Sequence, residues 1–114
     1  MPARFWRRSW PAFRVTRLRI SLLAGNDLDD VRVFGEERFG AAATRRHLEV
    51  IGRAFDLLRE RPMAGQSRPE YGEGIRSIAR RPHRILYRII EGEVVIVRVI
   101  HAARNPRLDL TDDE

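Results

Sequence analysis

The chain has no cysteine and no lysine, and no apolar run approaches the roughly 18 residues that a membrane-spanning helix needs. The first absence removes disulfides and thiolate metal sites, and it suits a reducing cytoplasm, which is the expected location. The second leaves all 22 basic side chains as arginine. The third gives no expectation of a membrane span or a membrane partner. The basic lead Met1–Trp10 has no apolar segment behind it and does not read as a secretory signal. Histidine is scarce too: His47, His83 and His101 are spread along the chain without ligand spacing, so neither a metal site nor a cofactor is expected.

What is present is a basic globular chain. Of 114 residues, 43% are hydrophobic and 33% charged, with a net charge of +6. That length suits one domain with one modest core. Arginine offers a planar fork of donors that matches carboxylates and phosphates and keeps its charge when partly buried. The charge therefore favours an acidic partner, either nucleic acid or an acidic protein segment.

Periodicity divides the chain. Residues 1–12 form a basic N-terminal extension, with Trp6 and Trp10 among arginines at neither helical nor strand spacing. Residues 13–106 form the packed domain, and residues 107–114 an acidic C-terminal tail. Thr16, Leu18, Ile20 and Leu22 alternate with Val15, Arg17, Arg19 and Ser21, which predicts a first strand with one buried face. Asn26 or Asp27 is the expected N-cap of a first helix carrying Leu28, Val31 and Phe34. Gly40 is a natural helix stop. A second helix is expected from about Ala41 to Glu60, where Thr44, Leu48, Ile51, Phe55 and Leu58 make an apolar stripe that Pro62 terminates. Gly52 inside that helix predicts close helix–helix approach. Residues 62–74, with Gly65, Gly72 and Gly74, read as loop. Three strands follow, near 75–80, 84–90 and 94–102.

The order is β-α-α-β-β-β: an α+β fold with a helical hairpin packed on a mainly antiparallel sheet. If Glu91-Gly92-Glu93 is the last hairpin's loop, Ile90 faces Val94. One face then carries His83, Ile85, Tyr87, Ile89, Val95, Val97, Val99 and His101, and is expected to pack on the helices. The other carries Arg84, Leu86, Arg88, Ile90, Val94, Ile96, Arg98 and Ile100, and is expected to be the more accessible. A two-residue loop would shift this assignment.

These elements carry a pattern. It runs from Ser21, Ala24 and Asp27-Leu28 through Val31, Phe34 and Glu36-Glu37-Arg38-Phe39-Gly40 to Phe55, Leu58, Pro62 and Gly65. It ends with Gly74-Ile75-Arg76, His83-Arg84-Ile85-Leu86-Tyr87-Arg88 and Arg98-Val99-Ile100-His101-Ala102-Ala103-Arg104-Asn105. Over about residues 15–106 it resembles the ParE toxins of the RelE/ParE superfamily, from bacterial type II toxin–antitoxin (plasmid stabilization) modules. The resemblance implies a small RelE/ParE-like fold and a cytoplasmic toxin that inhibits DNA gyrase without being an enzyme. It also implies neutralisation by a cognate ParD-like antitoxin, through an acidic C-terminal segment, in a hetero-oligomer. Direct nucleic-acid binding would be secondary. The candidate residues for binding target or antitoxin are Arg76, Arg84, Arg88, Arg98, His101 and Arg104, and no catalytic residue is assigned.

In the sister RelE branch the resemblance implies a ribosome-dependent mRNA endonuclease, which is the alternative function. That chemistry needs a group to take the 2′-hydroxyl proton, one to protonate the leaving oxygen, and cations for the charged intermediate. Arg76, Arg84 and Arg104 fall where several of those cations would lie. Position 78, where a second strand cation would fall, is Ile78, and no tyrosine follows Tyr87. Arginine is a poor general base. His83 or His101 could serve as acid or base. A second alternative is a non-toxic basic interaction module. Purely structural roles also stand open: His101 satisfied at a strand end, Arg98 paired with Asp56 or Glu49, and Tyr87 in the core.

Overall fold

A computed structural model describes residues 16–102. The N-terminal extension, the acidic tail and Arg104 lie outside the described residues. Strand β1 spans Leu18–Ile20, helix α1 Leu22–Phe39 and helix α2 Ala41–Glu60. Two short 3-10 turns, Pro62–Ala64 and Pro69–Tyr71, flank the two-residue strand β2, Gln66–Ser67. Strands β3 (Arg76–Arg80), β4 (His83–Ile90) and β5 (Glu93–His101) complete a five-stranded sheet in the order β1-β5-β4-β3-β2. Only β1 runs parallel to its neighbour, β5; the other pairs are antiparallel. The expected α+β order stands, with β2 added inside the segment expected to be loop.

The first strand is shorter than its alternation suggests, because Ser21 stops it. Ser21 holds extended backbone angles and its Oγ accepts the Ala24 N–H at 3.0 Å, so α1 begins at Leu22. The cap expected at Asn26 or Asp27 is therefore corrected: both lie inside the helix. Gly40 ends α1 as expected, at φ 89°, and its N–H reaches the Glu36 carbonyl at 3.1 Å. The close helix–helix approach expected at Gly52 lies at Gly35 instead. A Cβ on Gly35 would sit 2.7 Å from Thr44 Oγ1, whereas one on Gly52 would meet nothing within 4 Å. Helices joined by so short a turn are closest beside that turn.

The β4–β5 register departs from the expected one through two linked features. The loop is two residues, Glu91 (φ 51°) and Gly92 (φ 81°), so Ile90 faces Glu93. Both central residues adopt positive φ, as turns that match the strand twist require. The register then shifts: Tyr87 faces Ile96 but Leu86 faces Arg98, leaving Val97 as the extra residue of a β-bulge. Beyond the bulge, Ile85–Val99, Arg84–Ile100 and His83–His101 pair as expected. On the loop side every pair is displaced by one. Consequently Val94 and Ile96, rather than Val95 and Val97, join Ile85, Tyr87 and Val99 against Ile51, Ala54 and Leu58 of α2.

The opposite face has its own smaller core of Ile75, Leu86, Val97 and Ile100, with Tyr71 packed on it. Tyr87 lies in the helix-side core, and its hydroxyl is fixed. It donates to the Pro62 carbonyl at 2.6 Å and accepts the Gly65 N–H at 2.8 Å. Gly65 must be glycine here, since a Cβ would lie 2.6 Å from that hydroxyl.

Tyr87→Phe strands the buried Gly65 N–H and should cost about 1–3 kcal/mol. Urea unfolding measures it; a variant as stable as the parent would show that the hydroxyl does not clamp the loop.

Candidate functional site

The bulge places Arg98 where a surface cation was expected and buries it. Arg98 is only 6% exposed. Its Nε and Nη2 donate to Asp27 Oδ2 and Oδ1 at 2.8 and 2.9 Å, a two-pronged pair. Asp27, on the second turn of α1, also accepts the Val99 N–H at 2.9 Å. The expectation that the arginine-bearing face is accessible is thus corrected at Arg98, and its partner is neither Asp56 nor Glu49. The helical spacing of Leu28, Val31 and Phe34 gave no hint of this, because Asp27 read as a candidate cap.

Asp27 also lines a groove of about 670 Å³ between the helical hairpin and the far end of β4 and β5. Val31, Phe34 and Phe39 of α1, Pro82 of the β3–β4 turn and Val99 of β5 supply its apolar wall. Phe34 and Phe39 remain 59% and 71% exposed, unusual for rings on a small domain. Asp30, Arg38 and all three histidines supply its polar groups.

The sequence spreads the histidines apart; the fold brings them together. His47 Nε2 on α2 lies 2.9 Å from His83 Nδ1 on β4. His101 on β5, opposite His83 in register, meets the His83 ring edge-on with centroids 5.5 Å apart. Burial pushes His83 down to about 4, helped by repulsion from His47 and His101 and opposed by Asp27. Burial lowers His47 as well. Among the described residues, no group of three His, Cys, Asp or Glu is arranged to hold a metal ion. Nor, among them, is any helix long and apolar enough to cross a membrane.

The remaining arginine candidates lie elsewhere. Arg84 and Arg88 alternate with Ile85 and Tyr87 and so share the sheet face turned away from the helices. There they hold the 62–74 loop. Arg76 donates to the Gly65 and Met63 carbonyls at 3.0 and 3.1 Å. Arg84 reaches Tyr71 Oη at 3.2 Å and Arg88 the Glu73 carbonyl at 3.2 Å. Arg68, not singled out from the sequence, bonds Ser77 Oγ and Tyr71 Oη and stacks over the Tyr71 ring at 5.0 Å. The candidates thus divide: His83 and His101 on the groove, Arg76, Arg84 and Arg88 on the loop, and Arg98 inside.

The chain has known relatives. The family model for the ParE toxin of the type II toxin–antitoxin system parDE matches residues 18–106. The chain therefore belongs to the ParE family of type II toxin–antitoxin toxins. Toxin ParE1 of Caulobacter vibrioides is 30% identical over 92 residues, covering 81% of this chain and 95% of that protein. A chain of the chromosomal ParDE toxin–antitoxin system from P. aeruginosa shares the fold, with TM-score 0.67 and 21% identity over 76% of this chain and 96% of that one. A chain of the RelBE2 toxin–antitoxin complex from Mycobacterium tuberculosis superposes with TM-score 0.54 and 32% identity, covering 77% and 99% of the two chains.

Asp27→Ala removes the two-pronged carboxylate partner of the buried Arg98 and should cost about 3–5 kcal/mol, while Asp27→Leu with Arg98→Met should recover most of that loss. Chemical denaturation of both variants checks it. Additive losses in the double variant would mean that the two side chains act independently.

Proposed function

We propose that this ParE-family toxin inhibits DNA gyrase by binding, and that a ParD-like antitoxin neutralises it by laying an acidic amphipathic segment along the helical hairpin and groove. The observation that carries the choice of binding over catalysis is the state of the groups an RNA-cutting site would need. Tyr87 has its hydroxyl engaged by Pro62 and Gly65. Arg76, Arg84 and Arg88 spend donors on loop carbonyls or on Tyr71. Ile78, where another cation would fall, packs against the helix-side core. No tyrosine follows Tyr87 in the sequence.

The groove suits the antitoxin reading. Exposed Phe34 and Phe39 offer apolar anchorage, and Arg38 beside them favours an acidic segment on a chain of net charge +6. In such a contact, buried apolar anchors supply affinity and charge pairs supply register and rate. The place of action that follows is the cytoplasm.

The RelE-type reading keeps one specific support. His83, held neutral near pH 7, stands beside His101 at the groove, and the 32% identical RelBE2 chain belongs to that branch by name. The two readings separate in vitro. Purified toxin should block gyrase supercoiling or raise cleaved-complex levels, and Arg104→Glu should weaken that effect or antitoxin binding. Folded protein without effect on gyrase at large excess, together with A-site cuts on primer extension of messenger RNA after induction, would transfer the assignment to RNA cleavage. Induction that leaves growth unchanged would instead favour the non-toxic module.

A further inference from the structure

We propose that the His47–His83–His101 stack is a proton-operated latch that holds α2 against the β4–β5 hairpin and so sets the shape of the groove. The latch would operate whether or not the groove receives an antitoxin. Three elements meet at it: α2 through His47, β4 through His83 and β5 through His101. All three rings, with Phe34 and Phe39, line the same groove.

Hydrogen-bond chemistry limits the charge this geometry can carry. A neutral imidazole has one donor and one acceptor nitrogen, whereas an imidazolium has two donors and no acceptor. The 2.9 Å contact between His47 Nε2 and His83 Nδ1 therefore exists only while at least one ring is neutral. Protonating both turns the bond into a repulsion between two cations at contact distance, with His101 a further ring away.

The surrounding charges do not rescue a doubly protonated pair. From α1, Asp27, Asp30 and Arg38 face the groove. Asp27 favours protonation of His83, but its carboxylate is already bonded by Arg98 of β5 and by the Val99 N–H. Arg38 opposes it. Burial, with the neighbouring imidazoles at His83, outweighs Asp27, so both His47 and His83 bind protons less readily than free histidine, His83 down to about 4. The sign follows: a group with a depressed cationic pKa takes up its proton more readily in the open or unfolded state. Lowering the pH from about 6.5 towards 4 therefore drives the latch open, and raising it closes the latch.

The full chain carrying isotope-labelled histidine tests this by NMR titration from pH 8 to pH 4. His47 and His83 should each show a single neutral tautomer at pH 8, with one sharing its proton to the other. Both should titrate below the ordinary value of 6.5, and the ring signals of Phe34 and Phe39 should move with them. Far-UV circular dichroism should stay constant through that change. In His47→Leu, the His83 midpoint should rise towards the ordinary value and the Phe34 and Phe39 signals should lose their pH dependence. Independent titration of the two rings near 6.5, or unmoved phenylalanine signals, would overturn the latch. So would loss of the dichroism signal at the same midpoint, which would make the histidines part of global unfolding. Should His47→Leu not fold, the wild-type tautomer and titration data decide the matter alone.

Discussion

The Asp27–Arg98 pair is the constraint on which the rest of the molecule hangs. β5 is an interior strand of the sheet, yet β1 covers only Val94 to Ile96 on its open side. Beyond that point β5 would present unpaired backbone groups towards α1. Residues from the start of α1 close this gap. The Ser21 N–H bonds the Ile96 carbonyl at 3.0 Å, the Ser21 hydroxyl bonds the Val97 carbonyl at 3.0 Å, and Asp27 accepts the Val99 N–H. Successive carbonyls of a regular strand point opposite ways; the bulge at Val97 is what lets both reach Ser21. Asp27 thus continues the ladder that β1 leaves unfinished, and Arg98 neutralises the charge this requires. A buried ion pair is weak evidence of net stability. Its value here is geometric: it fixes where α1 crosses the end of β5, and hence where the groove opens.

Much of this architecture was legible in the sequence because it rests on local signals. The stripe Thr44, Leu48, Ile51, Phe55 and Leu58 marked α2, and Gly40 marked the turn, since φ 89° is open to glycine without steric cost. The three C-terminal strands fell within one residue of their expected positions at each end. What escaped depended on contacts between distant residues. Ser21 is as good a cap as Asn26 or Asp27 by residue type. Only the demand of β5 for an acceptor at Val99 takes Asp27 away from capping. The bulge was equally hidden, because a run of β-branched residues from Val94 to Val97 is compatible with either face. Arg98 looked exposed for the same reason, and the meeting of three histidines from 47, 83 and 101 carries no spacing signal at all.

The two sheet faces divide the labour. Helices cover one, and the loop of residues 62–74 crosses the other, where Arg84 and Arg88 staple it, while Arg76 and the Tyr87 hydroxyl on the helix-side face hold its start. This explains how a chain whose cations are all arginine folds without a lysine. The guanidinium's several donors reach carbonyl oxygens at fixed angles, which an ammonium on a flexible stem does less well. Such arginines are framework residues as well as positive charge, so substituting one tests folding before it tests recognition.

That division also bears on which surface recognises a partner. On the loop face, the described arginine donors and the Tyr71 hydroxyl satisfy one another or the backbone, so a partner there would compete with bonds already made. On the groove face the apolar rings of Phe34 and Phe39 have no such cover, and burying them would release water from exposed aromatic surface at about 25 cal/mol per Å². The groove is therefore where association gains most for least disruption. Its polar lining includes His47 and His83, whose imidazoles hydrogen-bond each other, so this surface differs in chemistry from the arginine-stapled loop face.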